Sequence, residues 1–192
     1  MAPSLSYALA QKTGGRPRPR HNPRKYLRVA NVQRDHIDLS DLLELEASAT
    51  EMEGMALQAG DLLVVEGHAN PEEIGRCALV DAASSGLTFQ NHLFRLRARK
   101  MLAEFANAWM NSQGTRAYWR RMCGTSSGLN TINRTMLKAV LVPVPQHNEQ
   151  HRIVAAFSQA AARINAEEVY CDKLKLQKRG LRHDLLTGRV RV

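Results

Sequence analysis

Apolar residues recur at two periods along this chain, and the change of period divides it. In "YLRVANVQ" (26–33), Leu27, Val29 and Asn31 alternate with Tyr26, Arg28 and Ala30, which predicts a half-buried strand. "HIDLSDLLELEA" (36–47) reads as a turn with short strands. "LQAGDLLVVEG" (57–67) places a Gly-Asp turn before the apolar run Leu62–Val65, a buried strand. "IGRCALV" (74–80) and "LTFQNHLFRLRA" (87–98) read as further strands; in the second, His92, Phe94 and Leu96 alternate with Leu93, Arg95 and Arg97. The period then lengthens. Leu102, Phe105, Ala106 and Trp109 recur at i, i+3, i+4 and i+7, a helix, and "SQGTRAYWRRM" (112–122) predicts a second short helix after a break at Gly114. The polar segment "CGTSSGLNTINRT" (123–135) reads as a loop and short strand. "AVLVPVP" (139–145) closes the globular region, because Pro143 and Pro145 end regular structure.

The last stretch is of another kind. From Asn148 to Thr187 there is no proline and a single glycine, Gly180. Asn148 is placed to cap a helix, Glu149 to favour its dipole, and Gly188 to end it. Phe157, Ile164, Cys171, Lys178 and Leu185 are seven apart, and Ile153, Ala160, Glu167, Leu174 and Leu181 form the companion series. That is a coiled-coil seam. The alternative, a helix packed on its own domain, meets a length problem, since forty helical residues extend about 60 Å. Two seam positions are charged. An antiparallel pair sets Ala160 opposite Leu185 of the partner subunit, Ile164 opposite Leu181 of the partner subunit and Glu167 opposite Lys178 of the partner subunit. A parallel pair stacks like on like, which is costly in a seam. The spacing therefore predicts a symmetric antiparallel homodimer.

Charge adds a partner class. The chain of 192 residues carries 27 Lys+Arg against 18 Asp+Glu, a formal net charge of +9. A balance this basic favours nucleic acid first and an anionic membrane second. The charges are segregated: residues 1–34 hold eight basic and no acidic residues, and 35–75 hold eleven acidic and no Lys or Arg. This predicts a basic face for phosphates and an acidic face, from 35–75, for a basic protein partner. No apolar run is long enough to span a membrane and the N-terminus lacks the pattern of a secretory signal. Cys77, Cys123 and Cys171 are distant and odd in number, which argues for a reducing compartment. A cytoplasmic protein is expected.

Catalytic motifs are missing. The sequence has no phosphate-binding Gly-rich loop ending in Lys-Ser/Thr, no His-Glu-x-x-His and no Asn/Asp-Pro-Pro-Tyr/Phe; "HANPEE" (68–73) holds only Asn-Pro. His147 and His151 have metal-capable spacing but no third ligand. A chain without intrinsic enzymatic activity, metal or cofactor is expected.

"YLRVANVQ", "GDLLVVEG", "IGRCAL", "FQNHLFRLRA", "GTSSGLNTINRTMLKAVLVPVPQHNEQHRIV" and "LKLQKRGLRHDLLTGRVRV" resemble, in order, the specificity subunit of type I restriction-modification enzymes. The resemblance runs from about Lys12 to Val192. It implies an α+β fold, with a mixed α/β target recognition domain (1–146) that binds DNA. A long helix (147–192) for coiled-coil dimerisation and partner docking follows. It also implies separate methyltransferase and restriction subunits as partners, with S-adenosylmethionine bound by the methyltransferase. Typical members carry two recognition domains and two long helices. This chain has one of each and so resembles a half-subunit, natural or truncated; two copies paired antiparallel would rebuild the pseudo-symmetric whole. A competing reading is a truncated scaffold that dimerises and docks the methyltransferase without binding DNA.

For DNA, affinity comes from Lys and Arg on phosphates and specificity from side chains at base edges. The "KTGGRPRPRHNPRK" arm offers Arg16, Arg18, Arg20, Arg24 and Lys25. Arg34, Asn91, Asn130 and Asn133, with Asn31, Gln33 and His92, are candidates to read bases, since Asn and Gln fit adenine and Arg fits guanine. Asn31 and Asn91 lie in strand-like motifs, where structural hydrogen bonds compete. Arg120 and Arg121 are candidates to line the face beside Tyr118 and Trp119, an aromatic pair that is more often core. Ser126 and Ser127 let the backbone approach DNA, or else belong to a plain polar turn. A homodimer is expected to prefer an interrupted palindrome.

Overall fold

The computed structural model describes the backbone of residues 5–9, and residues 21–123 and 130–191 in full. They fall into two units that divide between Gln150 and His151. In chain order the first runs β1 (Leu5–Leu9), β2 (Pro23–Leu27), a 3-10 turn (Val29–Asn31), β3 (Leu43–Glu46), α1 (Ala49–Met55), β4 (Asp61–Val65), β5 (Gly67–His68) and a 3-10 turn (Pro71–Glu73). It continues through β6 (Cys77–Leu79), β7 (Thr88–Phe89), β8 (Leu93–Ala98), α2 (Ala103–Met110), α3 (Gln113–Met122), β9 (Asn130–Thr131) and α4 (Arg134–Lys138). The expected mixed α+β fold with a long final helix is what the chain adopts.

The main sheet has the order β1-β8-β4-β6, with every neighbouring pair antiparallel. Its central strand β4 is buried at all five positions, which is why its sequence is a continuous apolar run rather than an alternating one. The predicted alternation in β8 holds only over 94–97, where Phe94 and Leu96 are buried and Arg95 and Arg97 half-buried on the other side. Leu93, expected with the arginines, is fully buried, and His92, expected with Phe94, is exposed. A second sheet, β3-β2-β7, pairs β2 and β7 in parallel, and β5 and β9 make a short ribbon. Leu27, Leu63, Val65, Ala78, Phe89 and Leu93 form the core shared by the two larger sheets.

Three predicted elements change. The strand expected over 26–33 ends at Leu27. Asn31 diverts it: Oδ1 accepts from the Arg28 N–H, and Nδ2 donates to the carbonyls of Asp38 and Asp41, so local side-chain bonds replace the ladder. The strand expected over 87–98 is two, β7 and β8 in different sheets, joined by a turn closed from Leu93 N–H to Gln90 O. Gly114 breaks nothing. It lies inside α3, which starts one residue earlier under a Ser112 cap that accepts from Thr115 N–H. Where the apolar pattern predicts no element, α1 forms on a reciprocal Ser48–Glu51 capping box.

The helix α5 runs His147–Leu186, 40 residues. Its first turn is closed by Gln146 O, which accepts from Glu149 and Gln150, so Asn148 sits inside that turn rather than capping it. The end is as expected: the Thr187 hydroxyl donates to His183 O, and Gly188 takes φ +71°. Phe157, Ile164, Leu174, Leu181 and Leu185 all stand exposed on α5 in the single chain. Among the described residues no helix is long and apolar enough to cross a membrane.

Candidate nucleic-acid interface

Charge that is segregated along the sequence is interleaved in space. The acidic segment does not form the separate face expected of it. Antiparallel pairing sets Asp61 opposite Arg97, and the two make a bidentate ion pair at 2.6 and 2.8 Å with the carboxylate buried. Asp41 meets Arg28 at 2.6 Å, Glu73 meets Arg76 at 3.3 Å, and Glu66 accepts from the His92 ring at 3.0 Å. Arg95 is also engaged, donating to the carbonyls of Ala56 and Gly54 and lying over the Phe89 ring.

The densest charge cluster centres on Glu72. The turn Pro71–Glu73 is shaped by Asn70, whose Oδ1 accepts from Glu72 N–H, and by Pro71 at its first position. Arg116 and Arg120 stand one turn apart on α3. Arg120 Nη1 lies 2.8 Å from both Glu72 carboxylate oxygens, and Arg116 Nη2 lies 3.1 Å from one of them. Arg34 adds a third guanidinium, donating to the Glu72 carbonyl at 2.8 Å and, more weakly, to Asn111 Oδ1. The Arg120 hydrogen bond, with the charges of Arg120 and Arg116, holds the Glu72 carboxyl below the usual glutamate range. Burial, then the charge of Arg116, lowers the pKa of Arg34.

What fixes α3 against this turn is Trp119, fully buried against Gly75. Gly75 takes φ +66°, and a Cβ there would lie 2.3 Å from the indole nitrogen. Beside it Asp35, at φ +70°, accepts from the amides of both Asn107 and Asn111, and Asn111 in turn bonds the Cys77 backbone. Burial pushes the Cys77 thiol far up, which keeps it protonated and inert.

The other predicted DNA contacts are dispersed. Arg24 and Lys25 are exposed on β2, with Lys25 across from Glu44. Asn91 is half-buried in the β7–β8 turn, beside the His92–Glu66 pair. Arg121 is exposed next to Arg120 and borders a shallow groove with Trp109, Tyr118 and Leu141. Asn130 donates to Ala69 O, and Asn133 caps α4 by accepting from Met136 N–H. Asn31 is buried in its own turn, and Gln33 donates to Ala30 O. Tyr118 donates to Met136 O and packs edge-on against Trp119. Arg16, Arg18, Arg20, Ser126 and Ser127 lie outside the described residues. Arg116 and Glu72 are additions from the geometry. The i, i+4 spacing of Arg116 and Arg120 is visible in the sequence, but the carboxylate between them is not. No group of three or more metal-capable side chains occurs among the described residues.

On α5 the predicted seam residues Ile153, Phe157, Ala160, Ile164, Glu167, Cys171, Leu174, Lys178, Leu181 and Leu185 recur down the helix, all exposed except half-buried Ile153.

No family model matches the chain. It is 30% identical over 138 residues to the EcoKI type I restriction enzyme specificity subunit of Escherichia coli, covering 71% of this chain and 30% of that one. It is 28% identical over 140 residues to the StySPI specificity subunit of Salmonella potsdam, with the same coverage. The chain thus spans about a third of the length of these curated relatives. Among solved structures, an HsdS subunit from Thermoanaerobacter tengcongensis superposes with TM-score 0.60 at 19% identity, covering 92% of this chain and 46% of that one. A chain from a study of type I R-M complex assembly and conformational transition gives TM-score 0.61 at 16% identity, covering 94% and 44%. The fold is therefore that of about half an HsdS chain, and by sequence this protein is a homologue of the specificity subunits of type I restriction enzymes.

Proposed function

We propose that this chain is a half-size DNA-specificity element of a type I restriction-modification system. Residues 1–146 bind duplex DNA by sequence. Residues 147–192 pair two copies and dock the methyltransferase subunit, through which the restriction subunit is engaged. Methyl transfer from S-adenosylmethionine and DNA cleavage belong to those partners, and this chain supplies address rather than chemistry. The observation that carries the reading is the likeness to specificity subunits at half length, with one recognition unit and one long helix.

The helix supports the pairing. Near the middle of the helix Glu167, Glu168 and Asp172 precede Lys173, Lys175 and Lys178, so the antiparallel register sets Glu167 opposite Lys178 of the partner subunit and Asp172 opposite Lys173 of the partner subunit. Exposed Phe157, Ile164, Leu174, Leu181 and Leu185 supply the apolar seam. A two-fold homodimer reads two inverted half-sites, hence an interrupted palindrome.

The test is co-expression with a type I methyltransferase subunit, followed by co-purification and selection from random duplex DNA. A bipartite palindromic site is expected. A single contiguous asymmetric site, or failure to bind duplex DNA with the methyltransferase present, refutes the reading.

A further inference from the structure

We infer that Arg116 and Arg120 form a phosphate-binding site for the DNA backbone, and that Glu72 occupies it as an internal stand-in that a phosphate displaces. The inference rests on the DNA-binding role proposed above and assigns it a site. Guanidinium forks take carboxylate and phosphate oxygens with the same geometry. Both carboxylate oxygens of Glu72 are bonded by Arg120, and one by Arg116 as well, the arrangement a phosphate's oxygens would adopt. Four guanidiniums (Arg34, Arg76, Arg116 and Arg120) meet three carboxylates here, and two of the three are committed inward. Asp35 is held by two Asn amides, and Glu73 is bonded by buried Arg76 and paired with Arg34 at 4.0 Å.

Glu72 differs from those two. Its side chain is 46% exposed and its arginine partners are 36% and 40% exposed. Ion pairs this open contribute little net stability, because water and salt compete for both members. A duplex phosphate brings the same oxygens plus the gain from counterion release. The scaffold keeps the two arginines aimed meanwhile, because Trp119 seats α3 on the turn at Gly75. Glu72 thus holds the site open in the free protein and lowers its affinity for stray anions.

The experiment is fluorescence anisotropy of the full chain with a fluorescein-labelled 30-base-pair duplex of mixed sequence, over a range of potassium chloride. Each phosphate contact contributes about 0.9 to the slope of log affinity against log salt. E72Q is expected to bind about threefold more tightly at low salt, the effect of removing one negative charge about 7 Å from a phosphate across water. R116Q with R120Q is expected to weaken binding and reduce the slope by about 1.8. R120Q alone, a milder change at an exposed side chain, should reduce it by about 0.9 with an unchanged thermal midpoint. An unchanged slope in R120Q and in the double variant overturns the site, as does an E72Q variant that binds more weakly than the parent. A parent that fails to bind duplex DNA, alone or with the methyltransferase subunit, overturns the DNA-binding role itself. A parent that binds while these variants behave like it overturns only the site.

Discussion

Among the described glycines, Gly75 leaves least room for a side chain. Its φ of +66° lies in the left-handed region, where a Cβ costs about 1 kcal/mol. Replacement by alanine also puts that Cβ 2.3, 2.4 and 2.9 Å from three atoms of the Trp119 indole. Trp119 is fully buried, and overpacking of this sort costs about 1–3 kcal/mol. Gly75→Ala should therefore destabilise the first unit by about 2–4 kcal/mol. Gly86→Ala is the matched reference: its φ is +82°, but nothing lies within 4 Å of the added Cβ, so only the conformational part, about 1 kcal/mol, remains. Urea unfolding followed by tryptophan fluorescence reports on this unit, since Trp109 and Trp119 both lie in it. With a denaturant slope of about 2 kcal/mol per molar, the midpoint should fall by about 1–2 M for Gly75→Ala and about 0.5 M for Gly86→Ala. Equal shifts in the two variants would refute the claim that the indole and Gly75 are in obligatory contact. The contact also reaches the charge cluster. A displaced Trp119 carries α3, and with it Arg116 and Arg120, away from Glu72, so Gly75→Ala should lose DNA affinity that Gly86→Ala keeps.

Other positions give independent tests. Arg97→Ala leaves the Asp61 carboxylate, 1% exposed, with the Gln58 N–H and the nearby charge of Arg95. A loss of about 3 kcal/mol is expected in urea unfolding, the low end for a stranded buried charge because Arg97 itself is 40% exposed. A loss under about 1 kcal/mol would mean that water reaches Asp61. Lys178→Glu should weaken dimerisation at least tenfold in sedimentation equilibrium, and adding Glu167→Lys should restore it; loss without rescue rejects the proposed register. Of the three thiols only Cys171 is exposed, while burial raises the pKa of both Cys77 and Cys123. Maleimide at neutral pH should modify one thiol per chain in dilute solution and all three after unfolding. At concentrations where the seam forms, Cys171 should be protected, and undiminished reactivity there would argue against its place in the seam.

Much of the fold is legible because it depends on neighbours in sequence. β4 announces itself as an apolar run after a Gly-Asp turn, β8 by alternation, and α2 and α5 by helical period. What the sequence hides depends on partners far away. Nothing local tells that β7 leaves the strand pattern of 87–98 to pair with β2, about sixty residues earlier. Asn31 looks like a strand residue until Asp38 and Asp41 present their carbonyls to it. The capping box at Ser48 is readable as Ser-x-x-Glu, yet the segment around it lacks the apolar period that draws attention. The base-reading candidates show the same limit from the other side. Asn suits adenine, but Asn is equally a capping residue, and Asn133 serves as a cap.

The interleaving of charge bears on how such a chain would bind DNA at all. A formal charge of +9 suggests many phosphate contacts, but Arg28, Arg76, Arg95 and Arg97 are spent on carboxylates or carbonyls inside the recognition unit. Cations held in this way are not available to phosphates, so one copy should bind DNA more modestly, and lose affinity less steeply as salt rises, than its formal charge suggests. Two copies joined through α5 escape that limit without any new contact. Once one half-site is held, the second meets its unit at an effective concentration set by the dimer rather than by the solution. On this reasoning Lys178→Glu should reduce affinity for a two-half-site duplex about a hundredfold, while leaving affinity for a single half-site unchanged. An equal loss on both duplexes would show instead that α5 touches DNA directly, and the division of labour between the two units would have to be redrawn.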